Sequence, residues 1–487
     1  MQNSAMSISV TPLSQDAPVE APQPSINARS IALIVASAMF MEQLDTTVLA
    51  TALPAMAQTF DVEPIRMNLA LTSYLLSLAV FIPASGQVAD RLGTRLVFRC
   101  AIAIFTLSSI LCGLTSSLPA LIAGRILQGL GGAMMVPVGR LLLLRTVPKS
   151  ERISAMAWLL MPAMMGPVVG PLLGGFIVTY VSWRWIFAIN VPIGILGIVL
   201  VTLYIPDVVE PKPRAFDVKG MLLSGIALCC VMVGLEMTTQ RDVSIAWTLL
   251  AFAAAFCFGG LYWRHARRHT NPVLALGLLK VQTFRVAVVA GTLFRLGFGA
   301  LPFLLPLMLQ LGFGVSAAQS GMITFATAAS TMVMKGASVR LLKHFGFRNT
   351  LLWNGVFCTL FLAACAAFRP EWPVAAIYAV LLTGGLFRSL QINAYGTIAY
   401  ADISNEKMSD ATSFYSMVQQ VSLTLGISIS AVVLAAALTA NGHSKPELVD
   451  FSAAFLAVAA ISLIPFFMCW RLPADAGSEL TGRKSNG

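Results

Sequence analysis

The sequence predicts an all-α polytopic membrane protein of fourteen transmembrane helices, built as two six-helix halves plus two inserted helices. Composition, the spacing of apolar stretches and the distribution of positive charge predict it. Of 487 residues, 57% are hydrophobic and 11% charged, with a mean hydropathy of +0.80. A water-soluble domain of this length cannot cover so much apolar surface.

Fourteen apolar stretches follow one another, each near the roughly 20 residues that a helix rising about 1.5 Å per residue needs to cross a core about 30 Å thick. They cover 30–53, 67–86, 95–116, 119–141, 154–179, 183–205, 218–238, 244–263, 284–310, 317–338, 349–368, 372–396, 408–440 and 450–470. Most of the 32 Lys and Arg fall in alternate loops, for example Arg91, Arg95, Arg145, Lys149, Arg267 and Arg268. Few, such as Arg66, Arg184, Arg241, Arg369 and Lys445, fall in the others. By the positive-inside rule both termini are cytoplasmic, in what is expected to be a bacterial inner membrane. This asymmetry accounts for the net charge of +11, so no nucleic-acid partner is expected. All eight Trp stand near predicted span ends, as interfacial anchors do. Seven of the eight Cys lie inside spans and Cys100 near a span end, which argues against a disulfide framework.

The chain divides accordingly. Residues 1–29 are a polar, proline-containing tail expected to be disordered in the cytoplasm. Residues 30–205 form the first half and 284–471 the second. The inserted pair, 218–263, is bracketed by cytoplasmic linkers at 206–217 and 264–283, and 472–487 form a second tail. The loop after span 2, GQVADRLGTR from Gly86, and the loop after span 10, GASVRLLKHFGFR from Gly336, share a skeleton that closes on Gly-x-Arg. An offset of eight spans fits repeated halves around a central site, although Gly and Arg are also ordinary turn residues.

An ionisable group inside a bilayer is costly, so each retained one needs a partner, a watery cavity or a task. Glu42 and Asp45 in span 1 are three apart and share a helix face, with Asp45 about ten residues, hence about 15 Å, from the outer end. Two carboxylates this close in low dielectric do not both ionise comfortably, so one is expected to pick up a proton near neutral pH. A structural ion pair that never titrates is the alternative. Arg125 in span 4 lies at a depth similar to Asp45 and can pair with it. Protonating Asp45 would then release the two spans and couple a proton to conformation. Gln128 is a further hydrogen-bonding group one turn on. Span 5 carries Gly166, Gly170 and Gly174 on one face and Pro162, Pro167 and Pro171 along it, which predicts a bent, tightly packed helix. Arg295 in span 9 and Arg388 in span 12 are expected to bind an anionic substrate or counter-ion, to pair with Glu42 and Asp45 across a cavity, or to serve structure alone.

The segments LDTTVLATALP (44–54), GQVADRLGTR (86–95), RILQGLGGA (125–133), GPVVGPLLGG (166–175) and WRWIFAINVPIG (183–194) arrive in order on spans 1 to 6. Together they resemble the major facilitator superfamily, and more narrowly its fourteen-span drug:proton antiporter family. The resemblance covers about 30–471, by span count and turn residues more than by motif in the second half. It implies a cytoplasmic latch of Gly86, Asp90, Arg91, Gly93 and Arg95, with Thr94 where a basic residue is often found. It ties Arg125 to proton coupling, matches Asp45 to the family's span 1 acid, and marks Gly166, Pro167, Gly170, Pro171, Gly174 and Gly175 as the antiporter motif.

The expected function is therefore proton-driven export of small molecules, drugs or other amphipathic compounds, by alternating access. The expected partners are substrate, protons and lipid, acting on a monomer with Gln128, Arg295 and Arg388 as candidates for the substrate cavity. Export of an organic anion or metal-chelating metabolite is a second reading, and a non-transporting membrane sensor a third of another class. All four His fall in loops, and no metal-ligand cluster, phosphate loop or nucleophile-base motif stands out. An enzyme is not expected, nor any metal or cofactor beyond the proton gradient.

Overall fold

The computed structural model describes residues 27–487 except 149–150, 207–216, 241–242, 270–271, 405–406, 474–476 and 478–487, together with the side chains of 153, 335 and 409. Residues 1–26 of the expected disordered tail and most of the linker before the inserted pair lie outside the described residues, while 27–29 cap and begin the first helix. Among those described, every regular element is helical.

Among the described residues, thirteen helices are long and apolar enough to cross a membrane: α1 (Ala28–Thr51), α2 (Pro64–Leu92), α3 (Thr94–Leu114), α4 (Leu118–Thr146), α5 (Ser154–Tyr180), α6 (Trp185–Tyr204), α7 (Val218–Thr239), α8 (Ile245–Ala266), α9 (Gln282–Gly312), α11 (Phe347–Ala367), α12 (Val374–Ile398), α13 (Asp410–Ala440) and α14 (Leu448–Trp470). Between α9 and α11 runs α10 (Ala317–Phe345), 29 residues long. Its Ser and Thr content lowers its hydropathy, but it has the length to span and completes the expected fourteen.

Local chemistry sets the ends. Asn27 opens α1 by accepting from the Arg29 amide, Asp217 caps α7 through the Gly220 amide, and Ser316 and Gln319 form a capping box on α10. Gly93 at φ 89° ends α2, and Gly346 at φ 76° ends α10. These are the glycines of the two Gly-x-Arg turns, so the repeat in sequence is a repeat of backbone geometry that a side chain would strain. All eight cysteines are free thiols.

The halves meet where α5 packs on α10 and α2 on α13. The inserted helices α7 and α8 pack on each other, and α7 lies against α2 and α13. Hence the pair sits beside the seam between the halves and leaves the centre to α1, α4, α5, α9, α10 and α12. We call the face where α1 begins proximal and the opposite face distal.

Candidate functional site

Asp45 and Arg125 meet inside the first half. Arg125 Nη1 donates to Asp45 Oδ2 at 2.5 Å, with side-chain exposures of 0% and 1%. The other carboxylate oxygen, Oδ1, accepts from Gln128 Nε2 at 2.9 Å and Asn190 Nδ2 at 3.0 Å. Both amides also donate to Ser109 Oγ, at 2.8 and 3.2 Å. Arg125 Nε donates to the Ala70 carbonyl at 2.9 Å, Nη1 also reaches Gln128 Oε1 at 2.6 Å, and the guanidinium lies over the Tyr74 ring at 4.3 Å. Five helices, α1, α2, α3, α4 and α6, thus contribute to one network around the Asp45–Arg125 pair. Gly129 and Gly132 of α4 let it come this close to α2, since a Cβ at Gly129 would lie 2.7 Å from the Tyr74 carbonyl oxygen.

Glu42, one turn before Asp45, accepts from the Tyr74 hydroxyl at 3.4 Å. Its Oε2 and the Nη2 of Arg125 are buried without a hydrogen-bond partner among the described residues. These are the two places where the network has unused capacity.

A cavity of about 370 Å³ lies on the other side of α1, between the halves. Gln43 and Thr47 of α1 face it, with Arg140, Met164, Pro167, Thr327 and Arg388. Since 43 and 47 point away from 42 and 45 on a helix, α1 separates the cavity from the ion pair.

The glycine stripe of α5 fits the cavity side of α1 turn for turn. A Cβ on Gly166 would lie 2.8 Å from Gln43 Cβ, one on Gly170 would meet Thr47 at 2.8 Å from its Cβ, and one on Gly174 would be 2.5 Å from the Val48 carbonyl. The Thr47 hydroxyl donates to the Gly166 carbonyl at 3.4 Å. Gly175 turns to the second half and abuts Ala317 and Ala318 of α10, while Gly321 of α10 abuts Pro171. Two hydrogen bonds join the halves near this distal face: Ala318 N to Thr179 Oγ1 at 2.9 Å, and Gln310 Nε2 to the Thr51 carbonyl at 3.0 Å.

On the proximal side Asp90 pairs with Arg145 of α4 at 2.7 Å. Arg95 donates to the Thr202 carbonyl of α6, Arg91 is exposed, and nothing crowds Gly86. The described partners of Asp90 and Arg95 are therefore in their own half.

Two cavity candidates are displaced. Gln128 does not line the cavity: its amide is turned to Asp45 and Ser109, because α4 presents that face to α1 and α3. Arg295 does not line it either, and donates to the Tyr415 hydroxyl of α13 at 2.6 Å. Neither Arg295 nor Arg388 pairs with Glu42 or Asp45. Arg388 does face the cavity, joined by Arg140 near the proximal end of α4. The Nε atoms of Arg140 and Arg388 are both buried without a hydrogen-bond partner among the described residues. Asn190, Ser109 and Tyr74 were missed as well; a lone Asn in the apolar run of span 6 was the available signal.

Residues 35–427 match the family model of the Major Facilitator Superfamily. The chain belongs to that superfamily. It is 37% identical over 464 residues to the putative multidrug resistance protein MdtD of Serratia proteamaculans (strain 568), covering 93% of this chain and 95% of that protein. A Klebsiella pneumoniae subsp. pneumoniae protein of the same description is 35% identical over 461 residues, covering 93% and 96%. Among solved structures the fold resembles a bacterial homolog of the human lysosomal transporter Spinster, in an inward-facing and unoccupied conformation, with a TM-score of 0.66, 14% identity and coverage of 95% and 100%. It also resembles a D-xylose-proton symporter, with a TM-score of 0.64, 14% identity and coverage of 92% and 98%. The chain is a multi-pass membrane transporter of this superfamily and not an enzyme.

Proposed function

We propose that this chain is a proton-driven multidrug-type exporter in which Asp45 is the exchangeable proton site, tuned by Glu42, and α1 carries the signal to the cavity. The observation that carries the reading is the Asp45–Arg125 pair, buried behind α1 with donors on both carboxylate oxygens. A proton on Asp45 removes its attraction for Arg125. Leaving one partner of a buried pair uncompensated costs about 3–5 kcal/mol, enough to favour a rearranged α1 and α4. Motion of α1 is passed to α5, because Gly166, Gly170 and Gly174 hold the helices in backbone contact. The opposite edge of α5, Pro171 and Gly175, closes the distal face against α10. Protonation and distal opening are thereby linked through one packed path.

The proximal face is assigned to the cytoplasm by the charge bias, with halves at 30–205 and 284–471. The protonmotive force then loads Asp45 from the distal, outer side. Reporter fusions after Lys212 and Arg268 should both read cytoplasmic. The function itself is tested by substrate-induced pH change in proteoliposomes: active export without proton movement would overturn it.

The second reading, export of organic anions, gains from Arg140 and Arg388. Two cations with unused donors lining one cavity, one from each half, suit a carboxylate, phosphonate or sulfonate group on the substrate.

A further inference from the structure

We infer that the inserted helix pair carries a divalent transition-metal site at its proximal end, formed by Asp217, His265 and His269. The three side chains each bring one ligand atom within 4.8 Å of the others. Asp217 immediately precedes α7, His265 is in the last turn of α8, and His269 is one turn further. The His269 amide still donates to the His265 carbonyl at 3.0 Å, so the turn continues and both imidazoles fall on one face, their rings 5.1 Å apart. His265 Nε2 lies 2.7 Å from Asp217 Oδ1.

The donor set is two imidazoles and one carboxylate, which suits Zn²⁺, Co²⁺, Ni²⁺ or Cu²⁺ rather than Ca²⁺ or Mg²⁺. Tetrahedral bonds of about 2.1 Å place neighbouring ligand atoms roughly 3.4 Å apart. The ion would replace the proton now shared between His265 Nε2 and Asp217 Oδ1, and a water would complete the shell. Asp217 is well held for this task, because the Gly220 amide donates to Oδ1 at 2.8 Å and the Val273 amide to Oδ2 at 3.3 Å. Donors of this kind orient a ligating carboxylate. Arg264, Arg267 and Arg268 stand nearby and weaken the site relative to a closed four-ligand centre. Bound metal would tie the start of α7 to the end of α8 and fix both linkers that join the pair to the halves.

The plain alternative is an aspartate–histidine hydrogen bond that staples the hairpin and binds nothing. The test uses the full chain in nanodiscs, purified on a tag without histidine, and titrated with Co²⁺ and with Zn²⁺. The expected result is a Co²⁺ ligand-field absorption that Zn²⁺ displaces, with a higher thermal unfolding temperature in Zn²⁺. His269→Gln and His265→Gln should each weaken Co²⁺ affinity by about 10–100-fold or more, since loss of an outer-shell partner alone does that. His269→Gln leaves the Asp217–His265 bond in place, so it separates metal binding from the staple. Absence of Co²⁺ absorption, or equal binding by parent and both variants, would overturn the inference.

Discussion

Asp45 and Arg125 form a fully buried ion pair whose surroundings are unequal: Asp45 has donors on both oxygens, whereas Arg125 keeps one terminal nitrogen without a partner among the described residues. The carboxylate is the better satisfied group, so the arginine bears more of the strain when a proton neutralises the acid. Asp45→Asn mimics that neutral state permanently. Proton-coupled efflux should vanish, while downhill substrate exchange persists. Arg125→Lys should be nearly as damaging, because an ammonium cannot reach Asp45, Gln128 and the Ala70 carbonyl from one planar group. Liposome assays of pH change and of substrate counterflow, run on both variants, separate coupling from binding. Full coupling in Asp45→Asn would shift the proton site to Glu42.

Much of this was legible from the chain. The spans are apolar runs of a fixed length, and the bilayer demands both properties, so their count and order could be read directly. The Asp45–Arg125 pairing followed from matched depth, since two opposite charges in hydrocarbon have few other partners. The neutral members, Ser109 and Asn190, belong to helices that meet only in the folded bundle, and one polar residue in an apolar run does not announce its neighbour. Arg140 stands at the end of the apolar stretch 119–141 and gives no sign in the sequence of facing a cavity; α4 continues to Thr146, and the residue lines the cavity. Asp217 and His265 are 48 residues apart, and only the hairpin of α7 and α8 brings them together.

The two cavity arginines make a prediction about selectivity. Arg140→Gln and Arg388→Gln keep a polar side chain and its stem and remove the charge. If substrates dock an anionic group there, each variant should lower affinity for carboxylated compounds by about 10–150-fold, from loss of about 1.5–3 kcal/mol in a charge-assisted hydrogen bond. Uncharged and cationic substrates should change little. Competition binding with a matched acid and its methyl ester checks this. Equal effects on acid and ester would leave the arginines a structural role.

A second pH-sensitive element lies on the distal loop between α13 and α14. His443 Nδ1 is 2.9 Å from Asp450 Oδ2, and Nε2 is 3.6 Å from Glu447. The hydrogen bond to Asp450, with the charges of Asp450 and Glu447, raises the His443 imidazole above its ordinary value of 6.5. A raised value in the folded chain means that the charged pair stabilises the loop fully below about 6.5, and that this is lost as pH rises through the elevated value. Proteolysis of the loop should therefore be slowest in mildly acidic medium and faster under alkaline conditions. His443→Gln should flatten that profile, and an unchanged profile in the variant would remove His443 as its source.

The α5–α10 crossing makes the sharpest prediction about alternating access, because two glycines with the same residue type should behave differently. Gly174 presses on Val48 and Thr51 inside the first half, whereas Gly321 presses on Pro171 across the seam between halves. Alanine at either site overpacks a close contact, at a cost of about 1–3 kcal/mol. For Gly174→Ala the contact lies within one half, so the protein should lose thermal stability without a change in which face is open. For Gly321→Ala the contact exists only while the distal face is closed, so the same cost should shift the equilibrium toward distal opening. Each 1.4 kcal/mol changes the ratio of the two states about ten-fold. In a cysteine-free background with Thr327→Cys as the cavity reporter, Gly321→Ala should label faster with a membrane-impermeant thiol reagent applied from the distal side, and Gly174→Ala should label at the parental rate. If Gly321→Ala labels no faster than the parent, the crossing of α5 and α10 is not the distal gate.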